Sequence, residues 1–363
     1  MMKTIGIIGA SGKIGFLVCK WLEGSVRIRG GCRSFKDKFN ELKDFEWVKT
    51  DIYDSKSLEE FSTGCDAILN CTGPAAVIKE SIALTAQNLN IPYIDTSDII
   101  LVDKDARKKL TGENICVGGA GYVPGLGGLL LKWASNRLYD NISKAVCFQG
   151  GIQSFSAIAF TDIILGAVSG VGYSDSYYLG GRILKENNTK GTMTVFPGTD
   201  EAVFTKSYLS EEMIKAAEAL GVKEVHWSNM VNDEKMMKLI MDSFQIIMTE
   251  ERSSAIEKIS KLSSSYMANM NRDLKKWSSL IIELRGKKDN KRKEYLLEFN
   301  VEDEETACSL VAAMICRRVL KRDFDKNVYW AFEIMDANDI DELLKLGKDY
   351  FRITEKEVKV RNA

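Results

Sequence analysis

Apolar positions in the first third of the chain come in short runs separated by stretches with helical spacing. Runs at 3–9, 26–31, 45–50, 66–71, 91–95 and 114–118 have the length of strands buried on both faces. Between them, apolar residues recur at helical intervals near 13–23, 36–42, 56–62, 76–89 and 103–111. This alternation predicts right-handed βαβ units, and so a parallel sheet with helices on both faces. From about residue 145 the pattern changes to extended segments, among them Lys144–Gln149, Gly191–Phe196 and Ala202–Tyr208, with a turn at Phe196–Asp200. Residues Lys276–Arg285 and Glu294–Val301 read as two strands joined by the charged loop Gly286–Lys293, a hairpin suited to an antiparallel sheet with helices on one side. Thr306–Leu320 and Ile340–Leu346 are helical again and are placed to return to the first domain.

Composition narrows this little. The chain has 363 residues, enough for two domains, with 45% hydrophobic and 28% charged residues. Fifty Lys and Arg against 51 Asp and Glu give a net charge of -1, so no global field favours nucleic acid or an anionic membrane. No apolar run reaches the length of a membrane span and no signal peptide is legible, which predicts a cytoplasmic protein. The eight cysteines form no C-x-x-C pair, and several fall in apolar periodic segments, so core thiols are expected rather than disulfides. His226 is the single histidine. It sits in a strand-like segment, and its solitude argues against His-based zinc sites.

Candidate chemistry begins at the first strand. Ile5–Ile8 leads into Gly9-Ala10-Ser11-Gly12-Lys13-Ile14-Gly15, followed at once by a helical pattern. This is the strand, glycine turn and helix start of a dinucleotide-binding unit. Gly9 would make the tight turn, Gly12 would let the backbone approach a pyrophosphate, and Gly15 would let the helix pack close to the strand. The pyrophosphate would face N–H groups at the positive end of the helix. The bland alternative is a plain strand-to-helix turn.

At the end of the second strand stand Cys32, Arg33 and Ser34, where folds that prefer NAD usually carry an acid for the ribose 2′-hydroxyl. Here Arg33, supported by Ser34 and Lys36, is suited to clamp a 2′-phosphate, which favours NADP(H) over NAD(H). The alternative is a solvated basic turn. Ligands of open parallel sheets bind beyond the carboxyl ends of the strands. That rule adds Asp51, Asn70, Cys71, Thr72, Gly73 and Pro74 to the cofactor candidates. It also singles out Asp95 and Asp98 after the fifth strand and Tyr122 in the glycine-rich stretch after the sixth. Asp98 either starts a helix or stabilises a cationic substrate, and Tyr122 can donate a proton to a carbonyl or imine. The glycines around Tyr122 either line a nicotinamide pocket or only form a turn with close helix packing. No tyrosine is followed four positions later by lysine, which makes ordinary short-chain dehydrogenase chemistry an unsuitable reading.

Together these pieces resemble the saccharopine dehydrogenase-like family of NAD(P)-dependent oxidoreductases. The resemblance rests on Gly9–Gly15, Cys32–Ser34, Asn70–Pro74, Tyr93–Asp95 and Ala120–Gly125. Near the end, Thr306, Ala307 and Asn327–Glu333 add to it, while roughly 150–275 is loosely matched. Val123 stands where several relatives carry an aspartate, which weakens any transfer of their substrates.

The resemblance implies a Rossmann-type doubly wound parallel sheet over 1–125 with a C-terminal return over 305–363. It implies an inserted, mostly antiparallel α+β domain over 126–304 for substrate binding and dimerisation, and so a homodimer. The implied activity is reduction of an imine formed from an amine and a carbonyl compound, or of a related C=N or C=O bond. Asp98 or Asp95 would favour the protonated imine, Tyr122 would relay its proton, and Arg182 would either hold a substrate carboxylate or be a surface arginine. Two rival readings remain open: an NADP(H)-binding redox sensor without turnover, and an NAD-using amine-group transferase of the homospermidine synthase type.

Overall fold

The computed structural model describes residues 2–152, 155–169, 172–187, 190–196, 202–231, 234–270 and 277–358. The chain divides into two units: one made of residues 1–130 and 305–347, the other of residues 131–304 and 348–363.

The first unit is built on a parallel sheet of β1 (Thr4–Ile8), β2 (Arg27–Cys32), β3 (Phe45–Lys49), β4 (Ala67–Asn70), β5 (Tyr93–Asp95) and β6 (Ile115–Gly118). A seventh strand, Asn327–Trp330, lies beside β6, and the order across the sheet is β3-β2-β1-β4-β5-β6 and then this strand. Every pairing is parallel, with Ile5 opposite Ile28 on one side of β1 and Ile7 opposite Leu69 on the other. β1 is paired on both edges and lies inside the sheet, and its five residues are all buried, as a strand covered by helices on both faces requires. The order reverses between β1 and β4, which is the switch point where such sheets take ligands.

Helix α1 (Lys13–Leu22) follows β1 and is tied to the later helix Glu304–Lys321: the Trp21 indole donates to Ser309 at 3.0 Å, and Arg317 donates to the Trp21 carbonyl at 2.5 Å. Leu58, Phe61, Ile82 and Ala86 form a core with Ile8, Ile68 and Tyr93.

Two expected helices differ in detail. The 76–89 pattern is two helices, Ala75–Ile78 and Ser81–Asn88, broken at Lys79 with φ +50°. The apolar spacing hid the break because both pieces bury a face in the same core. The 36–42 pattern is a short 3₁₀ turn, Asp37–Glu41, with Phe39 as its buried residue.

The second unit is a ten-stranded sheet, among the described residues. Its main path runs Arg182–Lys185, Ser176–Leu179, Glu224–Val231, Asn141–Ile152, Trp277–Lys288, Lys291–Val301 and Phe351–Val358. All of these pairs are antiparallel except Glu224–Val231 with Asn141–Ile152. Helices Ala157–Val168, Glu234–Thr249 and Arg252–Asn269 share a core of Phe160, Ile164, Leu239 and Ile259.

Two expectations are corrected here. The charged loop 286–293 is mostly strand: only Asp289 and Asn290 turn, both at positive φ, as a two-residue hairpin turn demands. The expected return of 305–363 to the first domain reaches only Gly347, because Phe351–Val358 pairs with Lys291–Val301 instead. Of the expected turn at 196–200, residues 197–200 lie outside the described residues.

Candidate functional site

The glycine turn closes the switch point. Gly9 has φ +84°, and a Cβ there would stand 2.9 Å from the Cys71 carbonyl oxygen at the end of β4. A Cβ on Gly15 would stand 2.4 Å from the Gly9 carbonyl oxygen, so only glycine lets α1 start this close to the turn. Gly12 differs: a Cβ there would meet only the Gly9 oxygen, at 3.2 Å. Gly12 is the N-cap of α1 and no side chain caps it, which turns the first N–H groups of the helix toward whatever occupies the exposed surface of Gly12 and Lys13. Ser11 and Ile14 are half-buried beside them. The Lys13 ammonium is engaged by Glu305 at 2.5 Å.

Cys32 ends β2 in the position usually held by an acid. Its buried thiol accepts from the Trp47 indole at 3.2 Å and donates to the Ser34 carbonyl at 3.1 Å, which holds the following loop in place. Arg33, Ser34 and Lys36 are exposed, and among the described residues no ion pair or hydrogen bond engages the Arg33 guanidinium. Asp51, beyond β3, is exposed and shapes its own loop, accepting from the Tyr53 N–H at 3.0 Å. Lys38 was not among the sequence candidates. Its ammonium lies 3.0 Å from the Ser11 carbonyl oxygen and 4.5 Å from the centre of the Phe16 ring.

The ends of β4 and β5 are closed by their own side chains. Asp95, 1% exposed, accepts from the Tyr93 hydroxyl at 2.5 Å, the Asn70 amide at 3.2 Å, and the Ser97 N–H and hydroxyl at 2.8 Å each. Asn70 in turn accepts from the Thr72 N–H at 2.9 Å. Burial raises the Asp95 carboxyl above its ordinary value and, with Asp95 beside it, pushes the Tyr93 hydroxyl well up. Four protein donors enclose both Asp95 oxygens, so this carboxyl, expected to act on a substrate, is held within the strand-end network. Asn70 is likewise a member of this network rather than a group held open for a ligand.

The same network carries the next loop, since Ala120 donates to the Asp95 carbonyl at 2.9 Å and Gly119 to the Ser97 carbonyl at 2.7 Å. A Cβ on Gly121 would stand 2.7 Å from the Thr96 carbonyl oxygen, so close packing accounts for this glycine. Tyr122 is 5% exposed on the laced loop. Asp98 is half-buried at the start of Ile99–Val102, where its carbonyl accepts from Leu101 at 2.8 Å while its side chain makes no capping bond. Thr72, Gly73 and Pro74 lead into the helix at Ala75, and Pro74 is its N-cap. Arg182 lies in the second unit, exposed, on the edge strand Arg182–Lys185. His226, in the same unit, has both ring nitrogens 2.7 Å from carboxylate oxygens of Glu186 and Glu224 and stacks on Tyr177, a structural setting.

A parallel sheet in the order 3-2-1-4-5-6, with a glycine turn and uncapped helix start at its switch point, defines the dinucleotide-binding class of α/β fold. More particularly, the chain has the fold of saccharopine dehydrogenase (L-Glu forming) from Saccharomyces cerevisiae: the two superpose with a TM-score of 0.69 over 98% of this chain and 100% of that one, at 12% identity. Uronate dehydrogenase from Agrobacterium tumefaciens matches 27% of this chain and 41% of its own, at 19% identity and a TM-score of 0.24, a likeness too partial to bear on the argument. No family model matches the chain, and no curated protein matches it in sequence.

Proposed function

We propose that this protein is an NADP(H)-dependent oxidoreductase that reduces an imine formed from an amine and a carbonyl compound. The observation that carries the cofactor is the open N-terminus of α1 at Gly12, with Arg33 unengaged beside the end of β2 and Cys32 where an acid would favour NAD. These residues fit a phosphorylated dinucleotide: the turn leaves room for close backbone approach, and the one cation on the turn itself, Lys13, is held by Glu305 rather than blocking it.

The nicotinamide cofactor supplies the hydride when bound. The chain's part is position and charge. Gly9, Gly12 and Gly15 would shape the turn so that a pyrophosphate can come close, and N–H groups at Ser11, Ile14 and the start of α1 would meet it. Thr72, Gly73 and Pro74 would border it, and Arg33 with Ser34 would hold the 2′-phosphate. Asp98, half-buried just beyond the end of β5, is our choice for the carboxylate that favours a protonated, more electrophilic imine nitrogen, with Tyr122 as the hydroxyl that relays the proton. Arg182 would hold a substrate carboxylate, and a homodimer through the second unit's sheet would complete the assembly.

The test is a pair of fluorescence titrations with NADPH and NADH, followed by a screen of amines with 2-oxo acids and aldehydes for nicotinamide oxidation. Preferred NADPH binding with substrate-dependent oxidation supports the reading. Binding without oxidation across the screen leaves a sensor, and product without a net absorbance change leaves the amine-group transferase. Sedimentation as a monomer would remove the dimer.

A further inference from the structure

The stretch after β2 carries three cations, Arg33, Lys36 and Lys38, alongside Asp37 and Glu41 on the turn that follows. Arg33 and Lys36 are exposed, and among the described residues neither forms an ion pair. Lys38, on the 3₁₀ turn Asp37–Glu41, is half-buried. Its ammonium contacts a neutral carbonyl, that of Ser11 at 3.0 Å, and the Phe16 ring face at 4.5 Å. No carboxylate lies within ion-pair reach of it among the described residues, and Glu41 on the same turn is 3.4 Å from Lys20 instead. Burial pulls the Lys38 pKa down and the like charge of Lys36 adds to that, while Glu41 acts in the opposite direction.

A half-buried cation with no carboxylate in contact with it is stabilised when an anion joins it. The atom it touches matters most. Ser11 belongs to the turn whose helix start favours phosphate, so Lys38 bridges the loop that carries Arg33 to the turn that would carry the pyrophosphate. Lys36, by contrast, makes no side-chain hydrogen bond or ion pair to the glycine turn among the described residues.

We propose that Lys38 is the second arm of a clamp for a phosphomonoester on the adenosine ribose, and that Lys38 and Arg33 together, not Lys36, set the preference for the phosphorylated dinucleotide. This rests on the dinucleotide reading above. Arg33 supplies a planar fork and Lys38 a compact charge, a pairing suited to the three oxygens of a dianionic phosphate. In the absence of ligand the Ser11 carbonyl holds the Lys38 ammonium near its place, so little side-chain ordering is left for binding.

A purely structural Lys38 would brace the glycine turn and serve both dinucleotides alike. Lys38→Met keeps the apolar stem over Phe16 and removes only the charge. It should raise the NADPH dissociation constant about tenfold, the effect of one charge-assisted contact, and leave NADH within about twofold. Lys43→Ala, at an exposed lysine beyond this turn, should leave both unchanged. Adenosine 2′-monophosphate, used as an isolated probe, should compete with NADPH for the wild type, and far more weakly for Lys38→Met than adenosine 5′-monophosphate does. Equal weakening of NADPH and NADH would make Lys38 a brace and overturn the clamp, while the dinucleotide reading would stand. An unchanged NADPH constant, or a wild type that binds NADH as well as NADPH, would overturn it too. A wild type that binds neither would remove the dinucleotide reading itself, a result seen before any variant is made.

Discussion

The carboxyl edge of the first unit's sheet carries polar side chains at both ends of its switch point, yet the two halves treat them in opposite ways. At the ends of β4 and β5, Asn70, Tyr93, Asp95 and Ser97 satisfy one another, and Asp95 has a protein donor on every side. At the ends of β1 and β2, α1 begins without a side-chain cap, Arg33 is unengaged among the described residues, and Lys38 rests on a neutral carbonyl. The first half is a frame and the second is an unfinished hydrogen-bonding surface. Position at a strand end is therefore a weak guide to chemistry, and what remains unsatisfied there is a stronger one.

The largest effect tests the frame. Asp95→Ala should leave the Tyr93 hydroxyl and the Asn70 amide buried without an acceptor, at about 1–3 kcal/mol each. A loss of less than about 1 kcal/mol in urea unfolding would show that the network is not holding the strand ends. The pH dependence has a definite sign. Burial raises Asp95, so the folded state holds this proton more tightly than the unfolded chain. Its contribution is greatest below the unfolded carboxyl value of about 4, and falls as pH rises through the folded value. Wild type should therefore gain on Asp95→Asn in going from about pH 7 to about pH 4; a constant difference between the two would refute the sign.

The next comparison sets two glycines of one turn against each other. Gly15→Ala places a methyl 2.4 Å from a backbone oxygen and should cost about 1–3 kcal/mol of stability. Gly12→Ala meets one atom at 3.2 Å and should fold with nearly wild-type stability, yet weaken NADPH and NADH together by blocking close approach. Retained binding in a folded Gly12→Ala protein would remove the glycine turn from the site.

These contrasts also show what the amino-acid sequence made legible. The six strands of 3–9 through 114–118 were readable because strands buried on both faces are continuous apolar runs, bounded here by glycines and polar turns. The glycine spacing carried the turn, since each glycine answers a local steric demand. The partners of polar groups were not readable. Tyr93 and Ser97 stand two residues either side of Asp95, but only the fold brings Asn70, 25 residues earlier, onto it and closes the network. Lys38 was missed for a related reason. Its segment read as an ordinary helix, whereas a 3₁₀ turn with fewer residues per turn brings its ammonium to Ser11, 27 residues earlier. The edge strand Phe351–Val358 escaped because its polar alternation resembles a solvated tail until a neighbouring strand is known.

On the open half, Arg33→Ala should weaken NADPH by roughly 10- to 100-fold, the worth of one Arg–phosphate contact, and NADH only slightly. Equal losses would show that Arg33 does not read the 2′-phosphate.

The smallest effect is the most discriminating between the two kinds of cation near the turn. Lys13 lies in the glycine motif itself, yet its charge is engaged by Glu305, and the pair is largely exposed. Exposed pairs contribute about 1 kcal/mol or less, so Lys13→Met should move the melting temperature only slightly. If a cation near this turn selects the cofactor by being uncompensated, Lys13→Met should also leave the ratio of NADPH to NADH affinity where it was, in contrast to Lys38→Met. A fall in that ratio would mean that Lys13 exchanges Glu305 for the ligand on binding. The distinction between a paired and an unpaired cation would then fail as a guide to this site.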